Sequence, residues 1–172
     1  MARLFFALWP PKTARALLAE LGTKLAQDCG GRAVVADKIH LTLAFLGEVD
    51  AAGEVRALEV AEAIAFEPFE LVLDRVGCFP RAHVAWAAPS APDPRAGRLA
   101  EELAAGLRAA GFALERRAFA AHVTLVRRIV RPCAEAPSES IAWKANAFAL
   151  VESDSRTGRY VEKASWRGGK AR

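Results

Sequence analysis

The chain has 172 residues, of which 53% are hydrophobic and 26% are charged. This size and composition are typical of one globular domain, residues 1–172, and they exclude a disordered chain, a fibrous chain and a segment long enough to span a bilayer. The net charge of +4 is carried by 18 Arg against 6 Lys. This bias suits bidentate contact with phosphate groups.

The periodicity of the hydrophobic residues predicts more strands than helices. Predicted strands cover residues 3–9, 39–46, 69–79, 82–87, 119–129, 141–151 and 160–166. Predicted helices begin after Pro11, at Asp50 and at Asp93, and they end at Gly30, near Ala65 and at Gly111. Because these helices do not alternate singly with the strands, the pattern favours an α+β fold with antiparallel pairing.

Local features refine this outline. Gly47 ends the second predicted strand, residues 80–81 turn a hairpin, residues 131–138 form a Pro-containing loop, and residues 168–172 form a frayed tail. The inward-facing residues predicted for the three helices are Leu17, Leu18, Leu21 and Leu25, then Val55, Leu58 and Ile64, then Leu99, Leu103 and Leu107. The N-terminal apolar run is interpreted as a strand and not as a signal peptide, because no small-residue cleavage site follows it.

The chain has three cysteines, Cys29, Cys78 and Cys133, and they are widely separated. Their spacing matches no CxxC pair and no Cys/His metal-ligand pattern. We therefore expect reduced thiols in a cytoplasmic protein.

One short repeat carries the functional interpretation: His40-Leu41-Thr42-Leu43 and His122-Val123-Thr124-Leu125. The chain has only three His and five Thr, so two His followed by Thr at this spacing would arise by chance with a probability of about 0.3%. The repeat therefore indicates that two strands have matched roles.

Strand geometry places the His and the Thr of each motif on one face, about 6.5 to 7 Å apart, with the apolar residues on the other face. If both strands line one cleft, two imidazoles and two hydroxyls converge. One imidazole could take a proton from water while the other protonates a departing sugar oxygen, and the hydroxyls of Thr42 and Thr124 could donate to phosphate oxygens. A strained cyclic phosphate would need no metal and no other cofactor for this reaction.

Two other interpretations of the pair remain open. Each His could be a structural residue that is hydrogen-bonded to backbone. The two His could also begin a metal site, but no third ligand accompanies them, and the neighbouring residues 116–117 and 127–128 are Arg. The third histidine, His83, has Ala85 in place of Thr, so we interpret it as a structural or exposed strand residue.

These motifs resemble those of the two-histidine (2H) phosphoesterases, and within them the bacterial RNA 2′,3′-cyclic phosphodiesterases, also called 2′-5′ RNA ligases. The resemblance rests on residues 3–8, 39–47, 119 and 122–127, and it spans nearly the whole chain in order and spacing. It implies a bilobal fold with two pseudo-symmetric lobes, each with an antiparallel sheet, and an active-site cleft between them. It also implies hydrolysis of a cyclic phosphate to a 2′-phosphomonoester, with His40 as proton donor and His122 as proton acceptor.

The chain departs from the family pattern at Ala120 and Ala121, where Arg-Pro is common in relatives. Arg127 matches a common family Arg and is a candidate substrate-binding residue with Thr42 and Thr124. Strict alternation, however, places Arg127 on the face opposite His122 unless the strand bends. Phe119 either stacks on a base or is a buried strand residue.

The expected partner is an RNA or a nucleotide with a 2′,3′-cyclic phosphate end, bound by a cytoplasmic monomer that does not contact a membrane. One alternative is a related phosphoesterase acting on a small cyclic nucleotide or on an ADP-ribose cyclic phosphate. Another is a non-catalytic module that binds RNA ends, although such a binder has no need of an acid and a base.

Overall fold

The computed structural model describes residues 1–169, which form an α+β fold with more strands than helices. The elements are β1 (Ala2–Leu8), α1 (Lys12–Cys29), β2 (Arg32–Ala33), β3 (Leu41–Val49), α2 (Ala51–Glu62), β4 (Phe69–Phe79), β5 (Val84–Ala88), α3 (Pro94–Ala109), β6 (Val123–Arg127), β7 (Ala136–Ala145), β8 (Ala147–Ser153) and β9 (Tyr160–Arg167). Neighbouring strands pair antiparallel throughout this part of the chain. The predicted fold class and pairing are confirmed.

The strands form one sheet in the order β7-β4-β5-β6-β3-β1-β8-β9, with β2 beside β6. At its middle, β3 and β6 share a single residue pair in register, Leu41 with Val123. This narrow junction divides the sheet into one part with β7, β4, β5, β6 and β2 and another with β3, β1, β8 and β9. The two-lobed arrangement with a cleft stays a prediction, and this junction is where the two lobes would meet.

The three helices pack on one face of the sheet. A single core cluster joins their buried side chains to Leu41, Leu43, Val123 and Leu125, which are between 0% and 6% exposed. A Cβ on Gly22 would lie 2.9 Å from the carbonyl oxygen of Leu125, so glycine lets α1 lie directly against β6. Within residues 1–169, the small second cluster of buried residues, Phe5, Ala7, Ala149 and Val151, includes no helix residue.

The inward stripe predicted for α3 is confirmed, since Leu99, Leu103 and Leu107 are at most 2% exposed. Asp93 caps this helix by accepting a hydrogen bond from the Arg95 N–H. For α1 the prediction holds in part, because Leu18 is buried whereas Leu17 is 51% exposed.

The inward positions predicted for α2 are partly wrong. Val55 is 54% exposed, and Ile64 follows the end of the helix at Glu62. The buried residues of α2 are Gly53, Ala57 and Ala61. Because these residues are small, the helix axis lies close to its neighbours. The prediction selected large apolar side chains as inward positions and therefore missed these residues.

Several strand boundaries differ from the prediction. The strand predicted at 141–151 is two strands, β7 and β8, separated by Asn146, and β7 begins within the predicted loop and includes Pro137. Proline is tolerated there because β7 is an edge strand. Gly47 does not end β3 but lies within it at φ 73°, beside the irregular register with β1.

The predicted frayed tail falls partly outside the described residues. Gly168 donates its N–H to the Asn146 carbonyl oxygen at 2.8 Å, and Gly169 donates to that of Phe66 at 3.0 Å. Residues 170–172 lie outside the described part of the chain. Within residues 1–169, no helix combines the length and the apolar character needed to cross a membrane.

The three cysteines, although distant in sequence, lie close together as free thiols. The Cys78 thiol donates a hydrogen bond to the Cys133 carbonyl oxygen at 3.2 Å. Burial raises the pKa of the Cys133 thiol to about 12, and the adjacent thiols of Cys29 and Cys78 contribute to this increase.

Candidate active site

The two His-x-Thr motifs lie on neighbouring strands at the centre of the sheet. His40 and His122 each directly precede the first residue of their strand, β3 or β6. Leu41 pairs with Val123 in an antiparallel register, and each of these two residues lies between the His and the Thr of its own motif. Because side chains alternate along a strand, the His and Thr side chains of both motifs lie on the face opposite to that of Leu41 and Val123.

Both imidazoles are fixed by the same backbone contact. Nδ1 of His40 lies 2.7 Å from the Lys38 carbonyl oxygen, and Nδ1 of His122 lies 2.8 Å from that of Ala120. A carbonyl oxygen can only accept, so Nδ1 carries the hydrogen in both rings. Nε2 is then the nitrogen that can accept or release a second proton at each histidine.

The surroundings of His40 are aromatic and largely shielded from water. Its ring centroid lies 4.8 Å from that of Phe5, 5.6 Å from that of Trp9 and 5.5 Å from that of Tyr160. Burial lowers the pKa of His40 from 6.5 to about 4, and the Lys38 carbonyl offsets part of this decrease. His40 is therefore neutral at pH 7 in the unliganded protein.

A positive charge from β6 also acts on His40. Arg127 and His122 both lower its pKa electrostatically. Arg127 and His122 therefore both lie within electrostatic range of His40. Since Nε2 of His40 also lies 3.0 Å from Oγ1 of Thr42, this hydroxyl belongs to the same group of side chains.

Arg127 reaches this face because β6 contains a bulge. Val84 pairs with Arg127 and Ala85 with Val126, but the next residue, Trp86, pairs with Thr124. The extra residue lets both Leu125 and Val126 face the core, where each is 0% exposed. Beyond the bulge the alternation is reversed, so Arg127 lies on the face of the histidines. Strict alternation would place Arg127 on the face opposite His122. This expectation is corrected, because the bulge supplies the bend that brings Arg127 to the face of the histidines.

The remaining candidate residues have different environments. Thr124 is half-buried, and its hydroxyl makes no hydrogen bond within residues 1–169, so it is available to a ligand. Phe119 is partly buried against the main core, in agreement with its structural interpretation. His83 is exposed and lies outside the strands, with a left-handed backbone at φ 54°.

Known proteins resemble this chain along most of its length. Residues 8–86 match the family model described as LigT-like phosphoesterase. The RNA 2′,3′-cyclic phosphodiesterase of Escherichia coli K12 is 36% identical over 125 residues, which cover 73% of this chain and 71% of the relative. The Thermus thermophilus protein of the same name is 33% identical over 185 aligned positions, covering 96% and 91%. The chain belongs to the LigT-like phosphoesterase family.

Solved structures agree with this assignment. E. coli LigT in complex with 3′-AMP superposes with a TM-score of 0.91 at 31% identity and covers 98% of this chain and 99% of that one. A second solved structure, TT0787 of T. thermophilus, gives a TM-score of 0.80 at 30% identity over 96% and 97% of the two chains. The α+β fold is therefore that of the LigT proteins.

Sequence analysis missed the aromatic residues around the histidines. Tyr160 lies at the start of β9, far along the chain from His40, and reaches it only through the pairing of β1 with β8 and of β8 with β9. Beside His122, the Phe79 ring lies at 5.1 Å and nearly perpendicular. The sequence carried one local signal for these residues. Phe5 and Ala7 alternate along β1, and both belong to a small second cluster of buried residues on this face.

The described residues of this LigT-like chain include no group of three His, Cys, Asp or Glu side chains placed to hold a metal ion. The polar groups that do converge are two imidazoles, two hydroxyls and one guanidinium. Such a set can donate hydrogen bonds to a phosphate and transfer protons around it.

Proposed function

We propose that this protein hydrolyses the 2′,3′-cyclic phosphate of an RNA or nucleotide to a 2′-phosphomonoester without a metal ion, with His40 as proton donor and His122 as proton acceptor. The observation that carries the proposal is the matched pair of imidazoles on one face, each held through Nδ1 by the carbonyl two residues earlier. The family membership and the names of the E. coli and T. thermophilus relatives support the substrate class.

The proposed reaction is an in-line displacement at phosphorus. Nε2 of His122 accepts a proton from water as the water oxygen bonds to phosphorus, and the bond from phosphorus to the 3′-oxygen breaks. Nε2 of His40 gives its proton to that oxygen. The products are a 2′-phosphate and a 3′-hydroxyl, and the next cycle begins when the proton has moved from His122 back to His40 through solvent.

Stabilisation of the growing negative charge is assigned to three other side chains. The hydroxyls of Thr42 and Thr124 and the guanidinium of Arg127 donate to the nonbridging oxygens. Thr124 suits this role because its hydroxyl has no partner within residues 1–169. Arg127 suits it because its charge already acts on His40.

The donor role of His40 requires a change when substrate binds. In the unliganded protein its pKa is about 4, so almost no ring carries a second proton at pH 7. A phosphate anion beside Nε2 favours the charged form and raises this pKa. The substrate therefore brings the acid into its working protonation state.

Phosphorus NMR of a 2′,3′-cyclic nucleotide incubated with the protein and excess EDTA tests the proposal. We expect conversion to the 2′-monophosphate at an undiminished rate. Formation of the 3′-monophosphate would contradict the assigned leaving oxygen, and a loss of activity restored by zinc or manganese would contradict the metal-free reaction. Tight binding of RNA ends without hydrolysis would identify the non-catalytic module instead.

A further inference from the structure

An open groove of about 710 Å³ is lined by residues 82–84 and 127–130. Arg127 belongs both to this groove and to the group of side chains around His40. A ligand that contacts Arg127 in the active site can therefore continue into the groove without leaving the protein surface.

The groove is positively charged and its cations are unpaired. Arg127 and Arg128 are exposed, and within residues 1–169 neither guanidinium lies within ion-pair distance of a carboxylate. Arg81, in the turn beside the groove, is likewise exposed and without a carboxylate partner in that part of the chain. A planar guanidinium can donate two hydrogen bonds to the oxygens of one phosphodiester. Unpaired guanidinium groups along a groove therefore suit such an anion.

The backbone of the groove is held in an unfavourable conformation. His83 at φ 54° and Arg128 at φ 57° are the two residues other than glycine with positive φ in the described chain. The hydrogen bond from the Ile129 N–H to the His83 carbonyl oxygen, 3.1 Å long, joins the two strained segments. Residues other than glycine rarely adopt this backbone region, and those that do cluster at functional sites. Both carry side chains that can bind phosphate.

We propose that this groove binds the phosphodiester on the 5′ side of the terminal nucleotide, through Arg128 and His83, while Arg127 contacts the cyclic phosphate. The inference rests on the proposed function, and it makes an RNA strand a better substrate than a mononucleotide. Each added phosphate contact places one more negative charge beside an unpaired guanidinium. The preference is therefore electrostatic and weakens as salt concentration increases.

Three substrates separate the contribution of the phosphate from that of a second base. They are adenosine 2′,3′-cyclic phosphate, the same compound with a 5′-phosphate, and the ApA dinucleotide ending in a 2′,3′-cyclic phosphate. We expect kcat/KM to be about tenfold higher for the two compounds that carry the extra phosphate, as a charge-assisted contact predicts. A gain that appears only with the dinucleotide would overturn the phosphate assignment.

Matched variants test the residues. Arg128→Asn and His83→Asn keep a residue that tolerates the left-handed backbone, so the fold is retained while the phosphate contact is lost. The measured quantity is the ratio of kcat/KM for the substrate with the 5′-phosphate to kcat/KM for the substrate without it. We expect each variant to reduce this ratio several-fold. Arg98→Gln, which removes an equal charge from the exposed face of α3, is expected to leave the ratio unchanged. An unchanged ratio in Arg128→Asn would overturn the proposal.

The experiments distinguish a groove that does not bind the phosphodiester from a protein that lacks the proposed activity. Hydrolysis of adenosine 2′,3′-cyclic phosphate without any gain in kcat/KM from the 5′-phosphate would overturn phosphodiester binding in the groove but not the proposed function. If the protein hydrolyses none of the three substrates, the proposed function fails. Fluorescence anisotropy with a labelled ApA 2′-phosphate then tests whether the groove binds the phosphodiester. Weaker binding by Arg128→Asn supports this binding, and equal binding overturns it.

Discussion

The Thr42 hydroxyl lies 3.0 Å from Nε2 of His40, on the strand whose Leu41 pairs with Val123 of the second motif. In the first motif the hydroxyl is therefore hydrogen-bonded to the histidine of the same motif, and the two motifs meet at the Leu41–Val123 pair. This arrangement motivates the following predictions.

Replacement of either histidine by glutamine should reduce kcat by about 10²- to 10⁴-fold, because each removes one proton transfer from the rate-limiting step. Glutamine retains a polar side chain of similar length, so circular dichroism and thermal unfolding should report a folded protein. Arg98→Gln is the matched surface control. Near-normal turnover in either histidine variant would remove that residue from the mechanism.

Burial of His40 should make stability depend on pH. The folded pKa of about 4 lies below the unfolded value of 6.5, so between these values the unfolded chain binds a proton that the folded protein does not. The stability of the folded state is therefore complete above pH 6.5 and decreases as pH falls towards 4, by up to about 3 kcal/mol.

Urea unfolding at pH 7.5 and pH 5 measures this effect. The free energy of unfolding of the wild type should decrease by about 2 kcal/mol more than that of His40→Gln, which has no group titrating at this position. Parallel changes in the two proteins would show that His40 is not held in its neutral form.

Arg127→Gln should raise the pKa of His40, because the Arg127 charge contributes to lowering it. An NMR titration of the His40 ring measures the shift, with Arg98→Gln as the control. Added inorganic phosphate should raise the pKa in the wild type and do so less in Arg127→Gln. An unchanged pKa in the variant would place the Arg127 charge outside the site, contrary to the bulge in β6.

Loss of the threonine hydroxyls should reduce kcat more than it changes KM, since their hydrogen bonds strengthen as charge accumulates on the phosphate. We expect Thr42→Val and Thr124→Val each to lower kcat by about 10- to 10²-fold. Thr23→Val, on the exposed side of α1, is the isosteric control. Equal kinetics in all three variants would make the two hydroxyls structural.

Local patterns were sufficient to predict the fold class and the candidate pair. The spacing of His and Thr assigns both to one face of a strand, because side chains alternate with period two. The Leu stripe of α3 and its cap at Asp93 likewise depend only on neighbouring residues, and both are present in the structure. The catalytic roles of the pair stay predictions.

Features that depend on pairing between distant segments could not be predicted. The bulge that turns Arg127 towards the histidines arises from the register of β5 with β6, and no local pattern marks it. The aromatic residues around His40 come from β1, from the segment after it and from β9. Their convergence, which depresses the pKa of His40, depends on the order of strands in the sheet.

The pH dependence of kcat in the presence of EDTA tests the central claim most directly, namely that two imidazoles act as acid and base on one phosphorus. With adenosine 2′,3′-cyclic phosphate as substrate, we predict a bell-shaped profile, because one imidazole must be protonated and the other neutral in the reactive complex. A profile that is flat from pH 5 to pH 9 would contradict the claim.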